Sequence, residues 1–439
     1  MRVLVVHNRY RPTAPSGEDI VVDQESAALA ARGHDVAIFE RRSAEIASWS
    51  LPRRATLPAR VVWNPDSRRA LSAELARFRP DVVHVHNTFP LLSPSVLHAC
   101  RDAGVPLVAT IHNYKLGCAS GELFRAGAVC HDCLGGPGPA GRRPGSAPGS
   151  LSGSLPGPLP GLLHGCYRGS PVATAPIATS LLVHARAWRS LVSAYVFISQ
   201  AQRDVLAPLG LPADRSFVKH NFVPPFPGTG PDGAGPERGH RVAFVGRLDP
   251  AKGAPFLLRA WDAFRSRRPA STLRLEVAGG GPLADEVARW GAARPSVDVL
   301  GLVPRAEVAR ILARARAAVV PSQWEETFGL IAVEAMAVGT PPVASAHGAF
   351  PEFVVPGVNG ALFAPTDVGA LVDVLADVDD HPERYAAYGR EAYATYRNRF
   401  APEGNLDLLM DVYRFAVDHP IGRISRSPGI AGRSGRSPS

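Results

Sequence analysis

The first half of the chain alternates short apolar runs with segments of helical period. Residues 3–6, 36–39, 82–85 and 107–111 read as strands, and residues 21–32 (closed by Gly33), 68–78 and 94–101 read as helices. Strand and helix in alternation predict a doubly wound parallel sheet, whose crevice lies at the carboxyl ends of its strands. Runs at 196–198 and 217–219 close this first unit. A second alternation follows, with strands at 241–245, 273–278, 297–300, 317–320 and 342–344 and helices at 255–268, 283–290, 307–315 and 328–338. The expected fold class is therefore α/β, two Rossmann-like units facing each other across a cleft.

The breaks in this pattern divide the chain. Residues 1–222 form the first unit, with a Gly/Pro/Ser-rich loop at 134–161 that is expected to be mobile. The Pro- and Gly-rich stretch beginning at Pro224 makes 223–239 a linker, and 240–385 is the second unit. Residues 386–418 read as terminal helices that cross back to the first unit, and the Arg-, Ser- and Gly-rich 419–439 as a disordered tail.

Composition changes this picture little. At 439 residues the chain exceeds one ordinary core. No apolar run approaches the ~20 residues of a membrane-spanning helix. Met1 to His7 reads as a first strand rather than a signal peptide, so a cytoplasmic protein is expected. The net charge of +9 is spread over pairs such as Arg41-Arg42 and Arg267-Arg268, without a patch interleaved with aromatics, so nucleic acid is not an expected partner. A basic surface also suits anionic ligands and the inner face of a membrane, where peripheral contact is the expectation. The cations are almost all arginine: Lys115, Lys219 and Lys252 are the only lysines.

Candidate chemistry gathers in the second unit. Glu326-Thr-Phe-Gly-Leu-Ile-Ala-Val-Glu334 follows a strand and opens a helix. At 3.6 residues per turn the two carboxylates lie within about 80° of each other. Free N–H groups near Phe328, Gly329 and Leu330 suit an anion, with the helix dipole adding attraction, and Gly329 leaves room for a phosphate. Upstream, Gly246-Arg-Leu-Asp-Pro-Ala-Lys252-Gly offers Arg247 and Lys252 to a diphosphate, one as a fork and one as a point charge. Gly280 lies in the Gly-rich turn Ala278-Gly-Gly-Gly-Pro282. Taken singly, each of these is also what an acidic helix start, a solvated cation or an ordinary turn looks like.

Taken together and in order, these motifs, with Pro356-Gly-Val-Asn-Gly360, resemble the donor half of retaining glycosyltransferases of GT-B fold, family 4, the group 1 transferases. The resemblance implies that 240–385 binds a nucleotide-sugar donor and 1–222 an acceptor, a glycan or a lipid-linked sugar. It implies Glu326 on the donor sugar, Glu334 on the ribose, Arg247 and Lys252 on the departing diphosphate, and the segment His347 to Glu352 beside the sugar, although Glu352 also suits a helix cap. In the first unit, the stretch from Arg9 to Glu18 resembles the family's glycine loop, with Gly17 kept and Ser16 where a second glycine is usual. His112 resembles the histidine near the reacting sugar carbon, and His86 and Asn87 end a strand on the same rim. Family chemistry is front-face attack in which the leaving phosphate receives the acceptor proton, with no cofactor and no donor-bound metal required.

Cys118, Cys130, Cys133 and Cys166 surround the 134–161 loop, and Cys130-His-Asp-Cys133 has knuckle spacing. A structural zinc site and free thiols are both open readings. The alternatives to transfer are a nucleotide-sugar epimerase of the same fold, or a non-catalytic donor-binding partner.

Overall fold

The computed structural model describes residues 1–10, 16–135, 157–226 and 238–421. The first unit is built on β1 (Arg2–Arg9), β2 (Asp35–Arg42), β3 (Val82–Val85) and β4 (Leu107–Ile111). A two-stranded antiparallel ribbon, β5 (Phe124–Arg125) and β6 (Ala128–Val129), interrupts the sheet before β7 (Ala194–Phe197) and β8 (Ser216–Val218). The six-stranded sheet is parallel throughout, in the order β2-β1-β3-β4-β7-β8. The second unit contributes β9 (Arg241–Val245), β10 (Arg274–Ala278), β11 (Val297–Gly301), β12 (Ala317–Val320), β13 (Pro342–Ser345) and β14 (Ala361–Phe363). These six are also parallel, in the order β11-β10-β9-β12-β13-β14. In each sheet the order reverses beside the unit's first strand. The loops after β1 and β3, and those after β9 and β12, therefore flank the two crevices.

Covering helices bury both faces, which is why β3, β4, β7, β12 and β13 are buried along their full length. The first helix, Gly17–Ala31, starts from a capping box: the Ser16 hydroxyl accepts from the Asp19 N–H while the Asp19 carboxylate accepts from the Ser16 N–H. Ser16 has φ −75°, so this loop needs no second glycine, and serine supplies the cap instead.

The terminal segment departs from the expectation that all of 386–418 crosses back. Pro382–Arg399 stays on the second unit, with Ala392 and Tyr396 packed among Phe328, Phe350 and Phe353. The chain turns at Phe400–Ala401, and only Pro402–Asp418 returns, placing Leu406, Leu409 and Tyr413 against Val3, Val82 and Val196. Proline at the first helical position marks the restart, since its missing N–H has no partner to lose there. Of the linker, Val223 is buried and its N–H donates to the Phe400 carbonyl. Residues 227–237, most of the 134–161 loop, and 422–439 of the tail lie outside the described residues.

Candidate active site

A cleft lies between the two units, open to solvent, with about 1030 Å³ of empty space counting that open part. Gly17, Glu18 and His112 line it from the first unit; Gly246, Lys252, Ser322, Glu326 and residues 327–331 line it from the second. Among the expected site residues it thus gathers Gly17, His112, Lys252, Glu326, Phe328, Gly329 and Leu330.

Glu326 is the best-held side chain in the cleft. Lys252 Nζ lies 3.0 and 2.7 Å from its two oxygens, and the Ser322 hydroxyl and the Trp324 indole N–H donate to Oε2 at 2.9 and 3.0 Å. The Lys252 ammonium also lies 4.7 Å from the Trp324 ring centroid. Ser322 and Trp324 were not singled out as site residues from sequence; their places four and two residues before Glu326, on the loop leaving β12, were the available signal. Lys252 starts just before the helix Ala254–Arg267, where Gly253 (φ +79°) brings the loop so near β12 that a Cβ would fall 1.8 Å from the Pro321 carbonyl oxygen.

The helix Leu330–Ala337 begins at this cleft with Gly329 (φ +82°) as its N-cap. Its first N–H groups have no carbonyl partner within the helix and, with the macrodipole, favour an anion there. The reason for Gly329 differs from the one expected. A Cβ there would meet the Phe350 ring at 2.2 Å, so the missing side chain makes room for core packing rather than for phosphate.

Three expected donor contacts stand elsewhere. Arg247 lies on the rim with its side chain 44% exposed and its Nε 3.0 Å from Asp249. Glu334 is buried behind the cleft in an ion pair with Arg305 at 2.7 Å, and burial raises its pKa. Gly280 is outside the cleft lining. The turn around it meets the Gly246–Leu248 loop, where a Cβ on Gly279 would fall 1.8 Å from the Gly246 carbonyl oxygen and one on Gly281 2.6 Å from that of Leu248. These glycines fit loop against loop.

Across the cleft, His112 emerges from β4. Its Nε2 lies 2.8 Å from His86 Nδ1, and its carbonyl accepts from the Thr327 hydroxyl of the opposite unit at 3.1 Å. Burial holds both imidazoles neutral by driving their pKa values well down. Asn87 donates to the Asn8 carbonyl, a turn role. Glu18, unremarked as a site residue, has Oε2 accepting from Asn113 while the buried Oε1 has no hydrogen-bond partner; burial pushes its carboxyl up to about 7. Glu352 caps a helix, as one of its two readings held. Its carboxylate accepts from the N–H groups of Gln200 and Ala201, at 3.1 and 2.6 Å, and lies 3.1 Å from His220 Nε2.

A zinc site is not supported: no three of Cys118, Cys130, Cys133 and Cys166 bring their sulfurs within 4.8 Å of one another, none forms a disulfide, and burial pushes the Cys133 thiol up to about 12. Among the described residues, the one group of three metal-binding types with ligand atoms within 4.8 Å of each other is Glu25, His84 and His86. There Lys219 Nζ already pairs with Glu25 at 2.7 Å, and both His84 nitrogens are bonded, to Tyr413 and to Thr110. A lysine thus fills the place of a metal.

Comparison with known proteins fits this geometry. The family described as "Glycosyl transferases group 1" matches residues 232–395, and "Glycosyltransferase Family 4" matches 15–129. Residues 232–395 belong to the group 1 glycosyltransferases and residues 15–129 to glycosyltransferase family 4. The chain is 35% identical to the D-inositol 3-phosphate glycosyltransferase of Mycolicibacterium smegmatis over 44% of either chain, so it spans less than half of that relative. It is 28% identical to the glycogen synthase of Mycobacterium tuberculosis over 90% of this chain and 89% of that one. The solved structure of Anabaena HepE in complex with UDP and glucose superposes with a TM-score of 0.62 at 18% identity, covering 94% of this chain and 99% of that one. The family's fold, GT-B, is the fold of this chain.

Proposed function

We propose that this chain is a retaining, metal-independent glycosyltransferase that moves a hexose from a nucleotide diphosphate sugar to a glycan or glycolipid acceptor. The observation that carries the reading is one cleft holding the Lys252–Glu326 pair, the open start of the helix Leu330–Ala337, and His112 from the opposite unit. Bound UDP and glucose in HepE, and the sugar-transfer names of the two relatives, support a nucleotide-sugar donor.

In this reading the diphosphate meets the N–H groups at residues 328–330 and the Lys252 ammonium, which offset the charge that builds as the sugar–phosphate bond breaks. Glu326, fixed by three donors, accepts from sugar hydroxyls and orients the anomeric carbon toward the acceptor. The leaving phosphate takes the acceptor hydroxyl's proton, so neutral His112 orients rather than ionises. Glu334 and Arg305 act behind the helix, on the ribose side. The work of a metal falls to Lys252 and the helix start. The proposed setting is the cytoplasm, with glycan assembly at the inner membrane face; no helix among the described residues is long and apolar enough to cross a membrane.

Titration with UDP and uridine, followed by turnover of UDP-glucose in EDTA, tests the reading. UDP is expected to bind far more tightly than uridine, and Lys252→Met to remove at least tenfold of that difference. Glu326→Gln is expected to lower turnover by 10² or more with UDP affinity nearly kept. Equal affinity for UDP and uridine, or turnover that vanishes in EDTA, would refute it.

A further inference from the structure

The three lysines have different fates. Lys252 pairs with Glu326, and Lys219 is buried against Glu25 and Asn405. Lys115, three residues beyond His112, forms no hydrogen bond or ion pair through its ammonium among the described residues; what surrounds it is aromatic. Nζ lies 4.5 Å from the Phe89 ring centroid and 5.7 Å from those of Tyr10 and Tyr167.

The placement is built. The Lys115 N–H donates to Asn113 Oδ1 at 2.9 Å, and Gly121, at φ +84°, passes so close that a Cβ there would lie 2.7 Å from Lys115 Cγ. Any side chain at 121 would push the lysine stem aside. The first opposite charge acting on the ammonium is that of Glu18, whose own carboxyl is pushed up to about 7 and is a weak counter-ion at neutral pH.

Lys115 and His112 both line a second pocket, distinct from the cleft. Its lining includes the polar Asn87 and Asn113 and the apolar Ile177, Leu181 and Trp188. A cation among rings without an anion carries a desolvation cost that a bound anion would relieve. Resting on the glycosyltransferase reading, we propose that Lys115 is the acceptor-recognition residue, selecting an acceptor that carries an oxyanion, phosphate or carboxylate, on an apolar or ring-shaped body. The oxyanion docks on Lys115, the body lies toward Leu181 and Trp188, and the hydroxyl to be glycosylated stays beside His112. The aromatic cage then keeps water from the ion pair and sharpens the choice of charged over neutral acceptors.

The test uses phenyl phosphate as probe, titrated into the full chain saturated with UDP so that the donor's diphosphate site is filled. Saturable binding is expected, weakened at least tenfold in Lys115→Met, with UDP affinity changed less than twofold and benzyl alcohol binding the same in both proteins. Because the chain has three lysines, reductive ¹³C-methylation provides a second readout that needs no variant: phenyl phosphate should shift the Lys115 signal. No saturable binding to the UDP complex, equal binding by the variant, or an unmoved Lys115 signal each overturns the assignment. Failure of UDP itself to bind sinks the donor reading instead, and the same titration reports it.

Discussion

Two glycines that line the cleft, one from each unit, differ in what a side chain would meet. Gly329 combines a left-handed backbone with a ring 2.2 Å from where its Cβ would sit, whereas Gly17 has ordinary helical surroundings and nothing within 4 Å. Gly329→Ala is therefore expected to cost roughly 2–4 kcal/mol from backbone strain and overpacking together, and Gly17→Ala to stay within about 0.5 kcal/mol. Urea melts of the two variants check the contrast, and equal midpoints would refute it. The motif around Gly329 was legible in the sequence, but the direction of the absent side chain was not, because that depends on which neighbour packs there. Glu326 was legible for the opposite reason: its strand, its loop and its Ser and Trp partners are local, within four residues. Lys115 was visible only as a rarity. Its cage draws Tyr10, Phe89 and Tyr167 from three distant stretches of chain.

At the scale of the elements, apolar runs located most strands of both sheets, because parallel strands buried on both faces are continuously apolar. β14 is three residues long, and the helix Pro171–Leu191 carries an internal proline with polar residues on both faces, so neither stood out. The strand ends of the first unit hold a further property, a row of buried histidines: His84, His86 and His112. Burial lowers all three, His84 to about 4. Between about 4 and the ordinary 6.5 of a free imidazole, the unfolded chain binds protons that the folded one refuses, so stability is lost as pH falls through that window. Each such group contributes up to ~1.4 kcal/mol per pH unit. Glu18 opposes them: its raised pKa means the folded state holds a proton between the ordinary carboxylate range and about 7, so its contribution declines as pH rises there. Denaturation at pH 5, 6 and 7 should show net acid lability, reduced in His84→Gln and enhanced in Glu18→Gln. A Glu18→Gln protein with the wild-type pH slope would contradict the origin assigned to the second effect.

For the whole molecule, the order of motifs along the chain implied two units, but not how they are held face to face. Contacts dispersed in sequence do this: the Trp324 ring packs on Tyr114 within the first unit's core, His131 lies 3.8 Å from Glu325, and backbone and side-chain bonds add to them. Thr327 bonds the His112 carbonyl, the Val223 N–H bonds the Phe400 carbonyl, and Glu352 reaches across to the start of the helix Gln200–Leu206 and to His220. Among the polar contacts Glu352 stands out, since a carboxylate on two amide N–H groups and an imidazole makes charge-assisted bonds, and these hold its pKa below the usual carboxylate range against the pull of burial. It sits on the loop whose neighbour Ala349 bonds the Glu326 carbonyl, and a Cβ on Gly348 would lie 2.6 Å from the Glu326 backbone, so the clasp between units and Glu326 share one support. Glu352→Ala should therefore loosen the face-to-face arrangement without unfolding either sheet, since the apolar clusters that hold the sheets do not include Glu352. Small-angle scattering is expected to show a larger radius of gyration for the variant than for the wild-type chain. Turnover should fall more than UDP affinity, because the donor wall stays intact while its approach to His112 becomes intermittent. A variant with unchanged radius and unchanged turnover would mean that the remaining contacts, Trp324 on Tyr114 among them, suffice to hold the cleft closed.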